Sequence, residues 1–325
     1  MTRALITVLA GIILSGILGY LLIPVLRALK AGQSIREAGP TWHNNKAGTP
    51  MMGGLIFIFA AIICLLGNLP VMEEYTVFYV LILSLCFGLI GFLDDFFKAK
   101  FKRNLGLTSL QKALLQMAVS ALFVYLLYQQ GALTCDIYLP FFDVTFYVHP
   151  LVYVFFAMFV MVGCDNAVNI TDGVDGLCAS VTLPVMIFFT VVSVAMGKED
   201  LAVLPAALVG GLIGYLFYNW HPAKVFMGDT GSLFLGGVVC AMAFALDMPM
   251  VLIFVGLVYI IETLSVILQV GYFKLTKGKR IFKMAPIHHH FEMCGWKEVK
   301  IVLVFTAVSA VMCILAWIGI AGRVG

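Results

Sequence analysis

Charged side chains are scarce in this sequence. Aspartate, glutamate, lysine and arginine make up 11% of its 325 residues, whereas 62% are hydrophobic and the mean hydropathy is +1.05. A chain of this length could form two or three soluble domains, but so little charge is typical of an integral membrane protein.

Several familiar binding patterns are also missing. The sequence contains no G-x-x-x-x-G-K-[ST] and no G-x-G-x-x-G, so neither of the two common glycine-rich phosphate loops is present. The eight cysteines show no CxxC or zinc-ligand spacing, and most lie in apolar runs. We therefore expect them to be small buried packing residues.

What the sequence does contain is a series of apolar stretches. A helix needs about 20 residues to cross the bilayer core, and ten stretches reach or approach that length. We expect an all-α polytopic membrane protein with about ten transmembrane helices, forming one domain over residues 1–325. The predicted spans are Ala4–Leu26, Met51–Pro70, Tyr75–Leu93, Ala113–Leu133, Pro150–Cys164, Gly176–Gly197, Leu201–Trp220, Ser232–Leu246, Pro249–Phe273 and Ile301–Gly322.

Lysine and arginine are divided unequally between the two sets of loops that ten spans create. Only Arg3, Lys198 and Arg323 fall in the set that includes both termini. Because cytoplasmic loops are enriched in these residues, we expect both termini to be extracytoplasmic. The segment Thr134–His149 then lies outside as well, and its many β-formers predict a short hairpin.

The segment NAVNITDGVDGL at 166–177 is strongly polar for such a chain. As a helix, the apolar run Pro150–Cys164 covers only about 22 Å, so we expect it to continue through Asp165 into this segment. Gly173 and Gly176 break helix propensity, which favours a helix end and a loop that gather the polar groups around a wet cavity. The alternative is a polar hinge in which these residues serve only turn chemistry.

Two further acidic motifs fall on the same predicted side. GFLDDFFK places Asp94 and Asp95 where the third span ends, and adjacent carboxylates that stay charged favour a nearby cation. The alternative is a solvated helix end paired to Lys98. VFMGDTGS places Asp229 at the start of the eighth span, where a helix N-cap is the competing interpretation.

KMAPIHHHFE contains three consecutive histidines, which suit transition metals when neutral and phosphate when protonated. A surface loop with incidental histidines is the alternative. Together the four clusters contain Asp, Asn, His and Lys but no cysteine ligand. Hard oxygen donors favour magnesium, which takes one or two carboxylates and fills its shell with water and phosphates. Such a site at membrane depth predicts one soluble anionic substrate and one carried by lipid.

These motifs resemble the bacterial phospho-N-acetylmuramoyl-pentapeptide transferase family, within the polyprenyl-phosphate N-acetylhexosamine-1-phosphate transferase superfamily. The resemblance covers nearly the whole chain. One departure is Met51, where the family usually shows threonine. The motifs that carry the resemblance are GPTWHNNKAGTPMMGG (39–54), GFLDDFFK (91–98), NAVNITDGVDGL (166–177), VFMGDTGS (225–232) and APIHHHFE (285–292).

The resemblance implies a ten-helix fold in the bacterial cell (cytoplasmic) membrane, usually a homodimer, with its active-site cleft facing the cytoplasm. It implies transfer of phospho-N-acetylmuramoyl-pentapeptide from UDP-N-acetylmuramoyl-pentapeptide to undecaprenyl phosphate, which yields lipid I and UMP. It also implies a requirement for Mg²⁺ and no nucleic-acid partner.

The resemblance implies residue roles as well. Asp229 would bind magnesium, and Asp94, Asp95 and His289 would join it at the catalytic centre. Phe226 would stack on the uracil ring. The full set of implied substrate-binding residues is Lys46, Thr49, Lys98, Lys112, Asn166, Asn169, Asp172, Gly173, Asp175, Asn219, Phe226, Gln269, His288 and His290.

Two residue roles stay open. A phosphate monoester has a second pKa near 6, so at pH 7 the lipid phosphate is mostly a dianion and gains little from a base. Asp94 is therefore either a base for the monoanionic fraction or an organiser of lysine and metal. Glu262, Ser265 and Gln269 form a polar stripe on one face of the ninth span, which serves either the substrate or interhelical hydrogen bonds.

Two other functions compete with this interpretation. The chain could transfer N-acetylglucosamine-1-phosphate, because the sequence does not define the sugar pocket. It could also be a secondary transporter, since those proteins combine broken helices with intramembrane acids. Transporter sites lie near the midplane and often in repeated halves. The acids here gather at the predicted cytoplasmic ends, and no repeat is present.

Overall fold

The computed structural model describes residues 1–28, 48–101 and 106–324. Over these residues the chain is mostly helical, as expected. The long helices are α1 (Thr2–Ala28), α2 (Gly54–Asn68), α3 (Thr76–Phe101), α4 (Ser109–Gln129), α5 (Pro150–Thr171), α6 (Leu177–Ala195), α7 (Val203–Asn219), α8 (Gly228–Ala245), α10 (Leu257–Leu275) and α12 (Glu298–Gly319). Three short helices, α9 (Leu252–Val255), α11 (Ile287–Met293) and α13 (Ala321–Val324), complete the set.

Nine helical segments of the described chain are long and apolar enough to cross a membrane. They account for nine of the ten expected spans. The remaining expected span, Leu201–Trp220, corresponds to α7, which is apolar but only 17 residues long. The predicted span Pro249–Phe273 is not one helix, because Gly256 separates α9 from α10 and a 3-10 turn, Pro249–Val251, precedes α9.

The predicted hairpin is present between α4 and α5. Strands β1 (Asp136–Leu139) and β2 (Val144–Tyr147) pair antiparallel, with Asp136 opposite Tyr147 and Leu139 opposite Val144. The backbone N–H of Phe141, at the hairpin turn, donates to the carbonyl of Gly319 at the end of α12. The hairpin is thereby attached to the helix bundle.

Helix α8 forms the centre of the bundle. From Thr230 to Ala245 every residue is buried, and its aromatic rings Phe234 and Phe244 are fully enclosed. α3 and α5 pack along it. A helix that is apolar on all sides in this way belongs to the core, so it can present its first residue at a defined place.

Polar contacts divide the bundle into two ends. The terminal end contains Met1, the loop 196–202, Asp247 and Arg323, which are joined to neighbouring helices by ion pairs. The distal end contains the loops that lead into α4, α6 and α8, together with α11. The two described ends of the chain therefore lie at one end of the bundle, and the acidic motifs lie at the other.

Candidate active site

The acidic motifs meet where the end of α3 touches the beginning of α8. Asp94 and Asp95 lie in the last two turns of α3, and Asp229 lies in the first turn of α8. A Cβ added at Gly91 would stand 2.1 Å from the carbonyl oxygen of Asp229, so only glycine allows the two backbones to come this close. The close helix contact thus brings three carboxylates together, with an oxygen from each within 4.8 Å of the others.

Both carboxylate oxygens of Asp95 bind the start of α8. Its Oδ2 accepts hydrogen bonds from the backbone N–H (2.9 Å) and hydroxyl (2.7 Å) of Thr230, and its Oδ1 accepts one from the Asp229 N–H (3.2 Å). Carboxylates bind the free N–H groups at helix starts in this way. Asp95 is almost fully buried, and its oxygens orient the turn that carries Asp229.

Asp94 and Asp229 share two lysines. The Lys98 Nζ lies 2.5 Å from Asp94 Oδ2 and 3.2 Å from Asp229 Oδ2, while the Lys112 Nζ lies 2.9 Å and 2.8 Å from the same oxygens. Asp94 Oδ1 also accepts from the backbone N–H of Leu107 at 2.7 Å. Both Asp94 oxygens are therefore engaged, and its side chain is 1% exposed against 18% for Asp229.

The segment 166–177 also borders the cluster of carboxylates. α5 runs through Asp165 to Thr171, and α6 begins at Leu177, so the predicted helix end and loop are confirmed. Asn169 donates to Asp229 Oδ1 (3.0 Å) and to the Ser232 hydroxyl (2.8 Å). Asp165, expected to line a cavity, is instead completely buried between helices.

Asp172 and Gly173 follow at the end of α5. Burial raises the pKa of Asp172 to about 8, and the neighbouring carboxylates add to the effect. A Cβ on Gly173 would lie 2.2 Å from Nε2 of His288, so the loop packs directly on α11. These contacts place α11 at the rim of the acidic cluster.

A cavity of about 520 Å³ lies beside Asp175, and two of the predicted residues, Thr49 and Asp175, are among those that line it. Asp175 Oδ2 lies 3.0 Å from His221 Nδ1 and accepts from the Ala223 N–H at the same distance. Glu298 Oε2 lies 3.4 Å from the same His221 nitrogen. The lining residues are Thr49, Asp175, His221, Pro222, Ala223, Glu292, Gly295, Trp296, Lys297, Glu298 and Val299.

The loop between α7 and α8 connects the cavity to the acidic cluster. Asn219 accepts from the Gly176 N–H (3.1 Å) and donates to the Val225 carbonyl (2.9 Å), which holds this loop to the one after α5. Phe226 is partly buried, and its backbone pairs with Pro50 and Gly53. The loop that carries its ring is therefore held by hydrogen bonds to the neighbouring segments, and the ring lies three residues before Asp229.

Most of the remaining predicted residues lie on α10, which carries Gln269, and on α11, which carries the three histidines. Gln269 accepts from the N–H groups of Ile281 and Phe282 and donates to the Phe282 carbonyl, so its amide already has three partners. Glu262 pairs with His288 at 3.0 Å, both fully buried. The polar stripe on α10 is buried. Glu262 links α10 to α11, and Gln269 links α10 to the loop that precedes α11.

The three histidines do not form one site. His288 is paired to Glu262, His289 Nδ1 lies 2.5 Å from Glu292 Oε2, and His290 Nδ1 accepts from the Lys283 N–H at 3.1 Å. Only His289 and His290 retain partial exposure. Asn166 donates to Gln116 and to the Val162 carbonyl on its own helix. Lys46, the remaining predicted residue, lies outside the described residues.

Nine of the eleven residues that line the cavity were not predicted, and among them are two polar partners of Asp175. His221 and Glu298 lie 46 and 123 residues from Asp175 along the chain. The HP dipeptide next to an acidic loop offered a weak signal for His221. Glu298 offered none, because a glutamate in the first turn of α12 is equally explained as a favourable helix start.

The fold and the cluster together define a polytopic membrane protein with a lysine-bridged carboxylate site at one end of its bundle. The chain matches glycosyl transferase family 4 over residues 77–247. It is similar to proteins named phospho-N-acetylmuramoyl-pentapeptide-transferase from Clostridium acetobutylicum, with 48% identity over 97% of this chain and 98% of that protein, and from Clostridium perfringens, with 48% over 97% and 98%. A protein of the same name from Clostridium novyi is 45% identical over 98% of both chains.

The chain therefore belongs to the phospho-N-acetylmuramoyl-pentapeptide-transferase family, and the resemblance seen in its motifs is confirmed.

Proposed function

We propose that this protein transfers phospho-N-acetylmuramoyl-pentapeptide from its UDP carrier to undecaprenyl phosphate, releasing UMP and forming lipid I. The observation that carries the proposal is the pair of carboxylates, Asp94 and Asp229, joined by Lys98 and Lys112 at one end of a membrane bundle. Relatives at 48% identity are named phospho-N-acetylmuramoyl-pentapeptide-transferase, which supports transfer of the same group.

The donor set fits Mg²⁺. The three clustered carboxylates offer hard oxygen donors, as this ion prefers. Asp95 binds the start of α8 with both oxygens, and the Asp94 side chain is almost fully buried, so Asp229 is the residue that would hold the ion. When bound, magnesium would neutralise charge on the diphosphate and on the leaving UMP.

Lys98 and Lys112 supply the positive charge of the site. Both ammonium groups lie between two carboxylates, within 3.2 Å of each. From there they can bind phosphate oxygens of the two anionic substrates, which otherwise repel each other and the acids. Charge balance is the main problem this site has to solve.

The buried position of Asp94 supports its role as an organiser. A general base needs an oxygen within hydrogen-bond reach of the proton it removes. Both oxygens of Asp94 are occupied by Lys98, Lys112 and the Leu107 N–H. We therefore assign Asp94 to positioning the lysines, and the lipid phosphate dianion attacks phosphorus without losing a proton to it.

The nucleotide-sugar portion would occupy the surface that runs from Phe226 to Asp175 and the cavity beside it. Phe226 supplies an aromatic face, and Asp175 lines the cavity. His289 and His290 lie at the rim and are partly exposed, and there they would contact phosphate. We place Gln269, Asn219 and His288 in a supporting role, because their polar atoms hold loops that border the site.

We further propose that the distal end faces the cytoplasm of a bacterial cell membrane and that the protein acts as a homodimer. The unequal distribution of lysine and arginine supports the orientation. The soluble UDP substrate requires it, since the acidic cluster lies at that end of the bundle.

The test is transfer by the purified protein in vesicles with undecaprenyl phosphate and Mg²⁺. UDP-N-acetylmuramoyl-pentapeptide should give a lipid pyrophosphate product and UMP, whereas UDP-N-acetylglucosamine should give neither. Preferential use of the second donor would assign the protein to N-acetylglucosamine-1-phosphate transfer. Transport of the donor without release of UMP would contradict transferase function altogether.

A further inference from the structure

A buried polar contact lies on the membrane side of the acidic cluster. The Gln116 amide on α4 donates to Asp165 Oδ2 on α5 at 2.5 Å, and both side chains are completely buried. The Gln116 carbonyl oxygen in turn accepts from Asn166 at 3.0 Å. Buried polar groups inside a membrane bundle are costly unless paired and are usually functional.

The position of this contact is informative because α5 packs closely on the central helix there. α8 passes so close that a Cβ on Gly236 would stand 2.5 Å from Asp165 Oδ1 and 2.6 Å from its Cα. Asp165 Oδ1 has no hydrogen-bond partner within the described chain. The contact thus links α4 to α5 at the point where α5 packs against the central helix.

α4 and α5 each carry a side chain that contacts Asp229 a short distance from this pair. Lys112 lies one turn before Gln116 on α4, and Asn169 lies one turn after Asp165 on α5, about 6 Å along each axis. Both contact Asp229, Lys112 at Oδ2 (2.8 Å) and Asn169 at Oδ1 (3.0 Å). The spacing between α4 and α5 at the buried contact therefore sets how these two side chains converge on one carboxylate.

We propose that Gln116 and Asp165 form a positioning pair that fixes Lys112 and Asn169 on the two oxygens of Asp229. Neither residue touches substrate. The pair acts as a hydrogen bond between helices, at a depth where lipid and water cannot replace it. This inference rests on the proposed function, because transfer is the property that the geometry serves.

The experiment compares Gln116→Met and Asp165→Leu, which remove the hydrogen bond, with Asp165→Asn, which keeps an acceptor oxygen. In the assay described above, both removals should lower kcat by about tenfold or more, because small misplacements of catalytic groups are expensive. KM for the UDP substrate should stay within about twofold, since the nucleotide contacts are untouched. Asp165→Asn should retain a kcat close to that of the wild type.

Ser120→Ala is the matched control. Ser120 is buried on α4 one turn further from Lys112, and its hydroxyl bonds only to the Gln116 backbone carbonyl. This variant should keep its kcat. If it loses as much activity as Gln116→Met for an equal fall in melting temperature, general loosening of α4 explains the result and the proposal is wrong.

A coupling measurement separates positioning from stability. In a Lys112→Ala background, Gln116→Met should have much less effect than in the wild type, because the side chain it positions is absent. An undiminished loss there would overturn the proposal. Should Asp165→Leu fail to fold, Gln116→Met carries the comparison alone. If the wild type transfers nothing, the proposed function fails; if it transfers and Gln116→Met retains its full kcat, only this inference fails.

Discussion

The two ends of the helix bundle use the same kinds of charged residue in different ways. At the terminal end, Asp200 pairs with Arg3 at 2.6 Å and accepts the N–H groups of Glu73 and Glu74 at 2.8 Å, so each oxygen has its own donors. At the distal end, Asp94 and Asp229 must share Lys98 and Lys112. The first arrangement holds the fold together. The second leaves more carboxylates than lysines, so a cation and phosphates can bind there.

The difference shows why an ion pair alone is a poor marker of function. Asp200 and Asp229 are both aspartates beside a helix, and both contact a cation. Only Asp229 belongs to a group in which three carboxylate oxygens lie within 4.8 Å, an arrangement that costs stability unless a ligand compensates. The same substitution at both ends should therefore have opposite consequences.

The largest effect is expected for Asp229→Asn. The amide keeps the size of the side chain but removes the charge that would hold magnesium and pair with both lysines. Transfer should fall by about 10³-fold or more, as when charge-stabilising groups are removed from other active sites. The melting temperature should change little. Near-normal turnover at limiting Mg²⁺ would show that Asp229 serves mainly to begin α8.

Asp94→Asn should have a smaller effect that also identifies its role. If Asp94 organises Lys98 and Lys112, kcat should fall by about 10²-fold while the pH–rate profile keeps its shape. The measurement is kcat against pH for both proteins. Disappearance of the acid limb in the variant would instead identify Asp94 as a base.

Phe226→Ala should weaken nucleotide binding by roughly tenfold, because stacking of a base on an aromatic ring is worth about 1–3 kcal/mol. Titration calorimetry with UMP measures the change, and Phe226→Tyr should be milder. Phe217→Ala, at an exposed ring on α7, is the control and should bind normally. Unchanged affinity in the Phe226 variant would remove this ring from the nucleotide site.

Asp200→Asn should leave transfer unchanged but reduce stability by about 1–3 kcal/mol at neutral pH, through loss of charged hydrogen bonds. Burial acts to raise the pKa of Asp200, but the Glu74 and Glu73 N–H groups and Arg3 outweigh it, so the pKa lies below its usual range. A lowered pKa stabilises the folded state above the usual pKa of aspartate and loses that effect as pH falls through the folded value.

The stability difference between Asp200→Asn and wild type should therefore shrink on acidification below about pH 4. Thermal unfolding in detergent at several pH values measures it. A difference that persists unchanged in acid would mean that the carboxylate charge contributes nothing, and loss of transfer would mean that the two ends are not independent.

Sequence patterns predicted the helices and the hairpin because these depend on local periodicity, and the order of the spans placed the acidic motifs on one side. The breaks at Gly173 and Gly176 indicated a loop after α5, and Asn169 does reach Asp229. The division of labour between Asp94 and Asp95 was not predictable, since adjacent residues in a motif look equivalent. Only the packing of α3 on α8 determines that Asp95 meets the N–H of Thr230.

Residues whose partners are distant in sequence were harder to interpret. Gln269 and His288 were assigned to substrate by resemblance, yet their polar atoms hold the α10–α11 loop and Glu262. Asp165 was expected at a wet surface because it adjoins a polar motif. Its burial depends on Gln116 and Gly236, which no local pattern connects to it.

We propose that the lipid phosphate attacks phosphorus directly, at the cluster formed by Asp94, Lys98, Lys112 and Asp229. One pyrophosphate linkage is broken and a similar one is made, so the equilibrium constant should lie near unity; even 1.4 kcal/mol shifts it only about tenfold. Labelled UMP should therefore enter the UDP-sugar pool when lipid I, Mg²⁺ and enzyme are present, and should fail to do so with delipidated protein and UDP-sugar alone. Robust exchange without lipid would indicate a covalent phospho-sugar enzyme and contradict direct attack.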